Sequence, residues 1–97
     1  MSFRLELVPS AREDPAFFTA REQRIILRGI DMFLSTEADI EGRRRKRLRP
    51  NPVAPWALRI GNYRVFYEIR TEQVAVVLAI GHKLHNDLFV RGRRIEI

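Results

Sequence analysis

The chain contains no cysteine. No disulfide can hold the fold, and no thiolate can serve as a nucleophile or metal ligand. Histidine is nearly absent too, with His82 and His85 alone. No acidic pair or histidine cluster has metal-ligand spacing, so neither a metal nor another cofactor is expected. No apolar run approaches the roughly 20 residues of a membrane-spanning helix. The opening Met1-Ser2-Phe3-Arg4-Leu5-Glu6 lacks the apolar core of a signal peptide. No membrane contact is expected, and the expected compartment is the cytoplasm. A chain of 97 residues leaves room for one domain, residues 1–97, with a modest core.

What the chain has in excess is positive charge: 18 lysines and arginines against 12 acidic residues, a formal charge of +6. The excess is uneven. Residues 43–49 read RRRKRLR, six cations in seven positions. Such a field attracts polyanions, whose binding releases condensed counterions. A nucleic acid, an acidic protein partner and a merely solvated loop all remain open at this point.

Phe3, Leu5 and Leu7 alternate with Arg4 and Glu6, which predicts a strand with one buried face. Two helix starts compete after it: Ser10 with Glu13 as a capping box, or Asp14-Pro15 with proline in the first turn. Either gives a short helix ending near Phe17 or Phe18. Thr19 and Glu22 form a second capping box, and Ile26, Ile30, Phe33 and Leu34 follow at helical spacing. This predicts a helix over 20–34. Gly29 inside it costs helix stability, and close packing against a neighbour would explain it. Residues 35–55 read as loop, with a possible helical turn over 37–41 and a stiff, extended tract around Pro50, Pro52 and Pro55.

Strands follow. Trp56, Leu58 and Ile60 share one face, Ala57 and Arg59 the other, and Gly61-Asn62 is a turn signal. Tyr63, Val65, Tyr67 and Ile69 continue the first face; Arg64, Phe66, Glu68 and Arg70 take the second. Trp56, Tyr63 and Tyr67 thus read as core rather than as stacking platforms for bases. Thr71-Glu72 is a second turn, and residues 74–80 are apolar on both faces, as in a central buried strand. Gly81-His82-Lys83 closes it. Residues 84–90 read as a turn of helix, and 94–97 as a short strand or tail. Grouped helices followed by hairpin-linked strands give an α+β domain: a short first strand, then two helices packed on a mostly antiparallel sheet that ends in a three-strand meander.

The tracts LELVPSARED, KRLRPNP, WALRIGNYRVFYEI and VVLAIGHK together resemble the RelE/ParE superfamily of bacterial type II toxins. The most specific is Arg59-x-Gly61-x-x-Arg64-Val65-x-Tyr67 at the hairpin. The resemblance implies a toxin silenced by a cognate antitoxin, which would be acidic and partly disordered until bound. Two activities are implied. RelE-like members cut messenger RNA, usually on the ribosome, whereas ParE-like members poison DNA gyrase. A third reading is a non-toxic nucleic-acid-binding relative that kept the scaffold.

Metal-independent RNA cleavage needs a base for the ribose 2′-hydroxyl, a cation for the pentacoordinate phosphorane and an acid for the leaving oxygen. The resemblance aligns Arg64 with the arginine of RelE-like enzymes, and guanidinium matches phosphate geometry. The competing role for Arg64 is a structural pair with Glu68. Arg59, across the turn, would join Arg64 at one phosphate. Lys83 sits where relatives carry a basic residue. His82 is the candidate base or acid, because histidine ordinarily titrates near neutrality; His85 is second choice. Arg45, Lys46, Arg47 and Arg49 are candidate nucleic-acid contacts. RelE-like nucleases commonly carry strand lysines where this chain has Pro55 and Ala57, and a tyrosine where it has Phe89. Phe89 can stack on a base but cannot move a proton.

Overall fold

Leu5 and Leu7 turn inward from a first strand, β1 (Arg4–Leu7), as their alternation requires. The computed structural model describes residues 2–13 and 17–96. Helix α1 (Pro9–Glu13) starts earlier than either capping signal indicates. Proline takes its first position, where the missing N–H costs nothing, and Ala11 is fully buried. The alternative start at Asp14-Pro15 falls outside the described residues.

Helix α2 (Ala20–Leu34) has the expected span and cap. The Glu22 amide donates to Thr19 Oγ1 at 3.1 Å, and the Thr19 amide donates to Glu22 Oε1 at 2.9 Å. Ile26, Gly29, Ile30 and Leu34 form its buried stripe. Gly29 is explained by contact: a Cβ there would lie 2.4 Å from Ile60 Cδ1. Alanine would gain about 1 kcal/mol of helix propensity, but overpacking costs about 1–3 kcal/mol, so close approach wins.

Three expectations for residues 35–55 are corrected. Residues 37–41 form a single hydrogen-bonded turn, Ile40 N to Glu37 O at 3.1 Å, rather than a helical segment. The basic run is not all loop, because Arg45–Arg47 is a strand, β2, paired antiparallel with β3 (Trp56–Ile60). The proline tract between them folds back instead of extending. Leu48 N donates to Pro55 O at 2.8 Å, and the Asn51 side chain accepts from the Val53 and Ala54 amides.

Strand β4 (Tyr63–Arg70) follows the Gly61-Asn62 turn, and β5 (Val74–Leu84) runs past the expected stop at Gly81. The anticipated helical turn over 84–90 is instead a hairpin into β6 (Asp87–Val90), and a further turn leads to β7 (Arg93–Ile95). His85 and Asn86 both take positive φ, 51° and 70°, as do Arg91 and Gly92 at 55° and 75°. Two-residue hairpins of the primed type require this twist.

The sheet order is β2-β3-β4-β5-β6-β7, with β1 alongside β5 in the single parallel pairing recorded among the described residues. The helices cover one face. There Ala11, Ile26, Ile30 and Leu34 meet Trp56, Leu58, Ile60, Val65, Tyr67, Ala75, Val77 and Ile80. Trp56 and Tyr67 stack within this core at 5.9 Å, so both are structural. No helix among the described residues is long and apolar enough to cross a membrane.

Register breaks once. Phe66 pairs with Ala79 but Tyr67 with Val77, leaving Leu78 as an extra residue in β5. This bulge shifts the phase of every later side chain in the strand. Tyr67 is fully buried, and its hydroxyl donates to Ala38 O at 2.7 Å. Burial raises its pKa above the ordinary tyrosine value. The substitution Tyr67→Phe leaves that carbonyl unpaired inside the core and should cost about 1–2 kcal/mol in urea unfolding, with the m-value unchanged.

Candidate active site

A cavity of about 500 Å³ opens on the face of the sheet away from the helices. Ala57 and Phe66 form part of its lining, with Leu48 from the proline loop and Leu88 and Ile95 from the C-terminal strands. Arg64, Lys83, Asn86, Asp87, Arg94 and Glu96 supply its polar lining.

Arg64 and Lys83 reach this cavity for a reason visible in the register. Arg64 faces Gly81 across β4–β5, and Lys83 lies two residues farther along β5, on the same face. The Gly61-Asn62 turn ties them together. Arg64 Nη1 donates to Gly61 O at 2.9 Å and to Tyr63 O at 3.0 Å, and the Lys83 amide donates to Asn62 O at 2.7 Å. The competing structural role, a pair of Arg64 with Glu68, does not form, since Glu68 binds Arg70 at 2.8 Å. Among the described residues no carboxylate pairs with Arg64. Burial, then the charge of Arg59 directly opposite, pushes its guanidinium pKa down from the ordinary value. A desolvated cation beside a like charge favours an anion.

Gly81 permits this geometry. A Cβ there would meet Phe89 O at 2.3 Å, so β6 lies against the bare backbone. Asp87 and Glu96 enter the same cavity on Arg94, at 3.2 Å and 3.5 Å. Sequence reasoning missed all three, because the β6–β7 hairpin that carries them was not recognised.

His82 does not reach the cavity. It pairs with Tyr63 and Phe89 and so faces the helix side. Its ring stacks on Phe89 at 5.5 Å, while Phe18 meets it edge-on at 5.9 Å and Tyr63 edge-on at 5.6 Å. Phe89 is thus also away from Arg64. His85 sits in the β5–β6 turn at positive φ. Near His82, Tyr63 donates to Glu22 Oε2 at 2.8 Å. The Thr19 amide, then the Tyr63 hydroxyl, and more weakly His82, lower the Glu22 pKa below its usual 4.5.

The basic run divides. Arg45 is structural: its guanidinium donates to Ile40 O, Phe33 O and Glu37 Oε2 at 3.0, 3.2 and 3.1 Å. Arg47 lies over Trp56, with 6.0 Å between guanidinium and ring. Lys46 shares the face of Ala57, toward the cavity. Arg49 is exposed, and its carbonyl accepts from Asn51. Arg59 lines a neighbouring hollow with Arg43, Arg44 and Gly61. Among the described residues no group of three or more His, Asp and Glu side chains is arranged to hold a metal.

Residues 21–86 match the family model of the ParE toxin of the type II toxin–antitoxin system, parDE. Among solved structures, the chain is similar to the toxin–antitoxin complex RelBE2 from Mycobacterium tuberculosis. The identity is 25%, the TM-score 0.73, and the match covers 86% of this chain and 100% of that one. It also matches the archaeal RelE–RelB complex from Pyrococcus horikoshii OT3, with 19% identity, a TM-score of 0.64, and 82% and 93% of the two chains covered. No curated protein matches significantly.

Two outcomes follow from this geometry. Gly81→Ala should force β6 away from β5 and lower unfolding stability by about 1–3 kcal/mol. Because Glu22 has a depressed pKa when folded, its contribution is present above about pH 4.5 and is lost as pH falls through the folded value. Glu22→Gln keeps the cap but cannot titrate, so its melting temperature should fall less steeply than the parent's on acidification in that range.

Proposed function

The chain belongs to the ParE toxin family of type II toxin–antitoxin systems, and we propose, on its site rather than on its family, that it arrests growth as a metal-independent endoribonuclease acting on messenger RNA. A cognate antitoxin protein would hold it inactive; both solved relatives above are complexes of this kind. The observation that carries the reading is the placement of Arg64 and Lys83 in one concave cavity, with Arg64 desolvated and without a carboxylate partner among the described residues.

In the proposed reaction the ribose 2′-oxygen attacks the adjacent phosphorus. The O2′–P bond forms and the P–O5′ bond breaks, giving a 2′,3′-cyclic phosphate and a free 5′-hydroxyl. Arg64 stabilises the charge that grows on the equatorial oxygens of the phosphorane. Lys83 lies in the same cavity and can hand a proton to the leaving O5′. Asp87 or Glu96 takes the 2′-hydroxyl proton in place of His82, which faces the other side. Phe66, Leu88 and Ile95 offer apolar surface against which a base can pack. Arg59 neutralises charge beside Arg64.

A second reading, gyrase inhibition without nuclease chemistry, draws on a different observation. Ala57 lies in the cavity lining where RelE-like nucleases carry lysine, and both histidines lie outside that lining. Supercoiling by purified gyrase would then stop on addition of the toxin.

Induced expression with primer extension of messenger RNA tests the first reading. New 5′ ends should appear with the parent chain and fall at least a hundredfold with folded Arg64→Ala, the scale of losing one charge-stabilising group. Cleavage that persists in that variant removes Arg64 from the chemistry, and arrest with intact messages selects gyrase.

A further inference from the structure

Beside the cavity lies a hollow of about 300 Å³ lined by Arg43, Arg44, Arg59 and Gly61. Three arginines line it, and among the described residues no ion pair involves any of them. We infer that Arg43, Arg44 and Arg59 form a second phosphate-binding subsite, which takes a neighbouring backbone phosphate of the RNA strand whose scissile phosphate lies at Arg64. This rests on the ribonuclease reading for the identity of the strand.

Four observations separate the cluster from an ordinary solvated loop. The segment is held in place. Gly42 N donates to Arg45 O at 2.9 Å, Arg59 N donates to Arg44 O at 2.7 Å, and the Arg45 side chain bolts the segment to Phe33 O at the end of α2 and to Glu37 and Ile40 O in the turn after it. Arg44 is further positioned 4.4 Å over the Phe33 ring. Next, Arg59 and Arg64 are directly opposed across β3 and β4. Like charges in that relation destabilise a strand pair, and an anion spanning the two sites converts the repulsion into attraction. Third, Gly61 has a positive φ of 57° and nothing within 4 Å of where a Cβ would be, so a phosphate can come close to the turn backbone. Finally, the hollow and the cavity are neighbours, since Arg59 of the one and Arg64 of the other project from one face of the sheet. The cationic track therefore runs from the 43–44 segment through Arg59 and Arg64 to Lys83. Arginine suits the role because its planar fork pairs with two phosphate oxygens at once.

The test uses the full chain and a short fluorescein-labelled 2′-O-methyl RNA, which lacks the attacking hydroxyl. Anisotropy titrations across a sodium chloride series compare the parent, Arg43→Ala/Arg44→Ala and Arg43→Glu. Losing one phosphate contact should make the slope of log K against log salt shallower by about 0.7, the share of one phosphate in a single strand. Affinity at low salt should fall about tenfold. Because removing Arg44 from Phe33 can disturb packing, melting curves accompany the double variant. The exposed Arg43→Glu carries the test if that variant unfolds. Unchanged slope and affinity in folded Arg43→Glu overturns the subsite. Loss of binding to polyglutamate alone, with RNA binding intact, overturns it in favour of an acidic protein partner. Cleavage of unmodified RNA is followed in parallel. A shallower slope without cleavage by the parent supports the subsite and sinks the nuclease reading; cleavage with an unchanged slope does the reverse.

Discussion

The one extra residue in β5, Leu78, governs where the chemistry can be. Before it, Ala75 and Val77 face the helices; after it, Ile80 does so again, only because the bulge has shifted the alternation by one. Without the bulge, Gly81 and Lys83 would point into the core and His82 onto the open face. With it, Lys83 joins Arg64 over the cavity and His82 is clamped between Phe18 and Phe89. Bulges re-aim side chains next to functional sites at the cost of one unpaired ladder position. Here the same device also fits the long β5 to three partners, with β4 on one side and β1 and β6 in succession on the other.

The chain's positive charge is then sorted by whether a partner is close. Arg45, Arg70 and Arg94 are each tied to a carboxylate within 3.2 Å. Arg45 has 14% side-chain exposure and is as much a fastener as a charge, since it satisfies the Phe33 carbonyl at the end of α2, which the helix cannot reach. Arg43, Arg44, Arg59, Arg64 and Lys83 have no such partner among the described residues, and they line the cavity or the hollow beside it. A basic run reads as uniform in sequence because residue type carries no information about pairing. Only the fold shows which guanidinium groups are already spent.

This accounts for what was legible in the sequence and what was not. Helix α2 was legible because Thr19, Glu22 and the Ile26–Ile30–Leu34 spacing all agree, and β3 and β4 because strict alternation brackets a Gly-Asn turn. The pairing of Arg59 with Arg64 followed from that tight turn. The bulge was invisible, since residues 74–80 are apolar on both faces and carry no alternation to lose phase. His82 was therefore placed beside Arg64 when it belongs to the other side. The β5–β6 hairpin was missed because its turn, His85-Asn86, contains no glycine, although Asn and His are among the residues that tolerate positive φ. Strand β2 was hidden by composition: three consecutive cations look like loop until β3 supplies the partner.

The two faces of the sheet are mechanically joined through β4. Val65 and Tyr67 anchor it in the core while Arg64 and Phe66, the alternate residues, line the cavity. Any core substitution that shifts β4 along its axis must carry the guanidinium with it, because Arg64 is bound to the Gly61 and Tyr63 carbonyls of the same hairpin and not to a separate element. Lys83 is bound to that turn as well, through Asn62. The Arg64 guanidinium and the Lys83 backbone are therefore both tied to one turn. The carboxylates Asp87 and Glu96 are not on that turn. They are carried by β6 and the chain that follows β7, which join β5 through a short antiparallel ladder and the close approach that Gly81 permits. The position of the carboxylates relative to the two cations thus depends on the β5–β6 ladder and on the glycine that lets it close. This makes the β5–β6 contact, rather than the central core, the structural control on proton transfer in the proposed reaction.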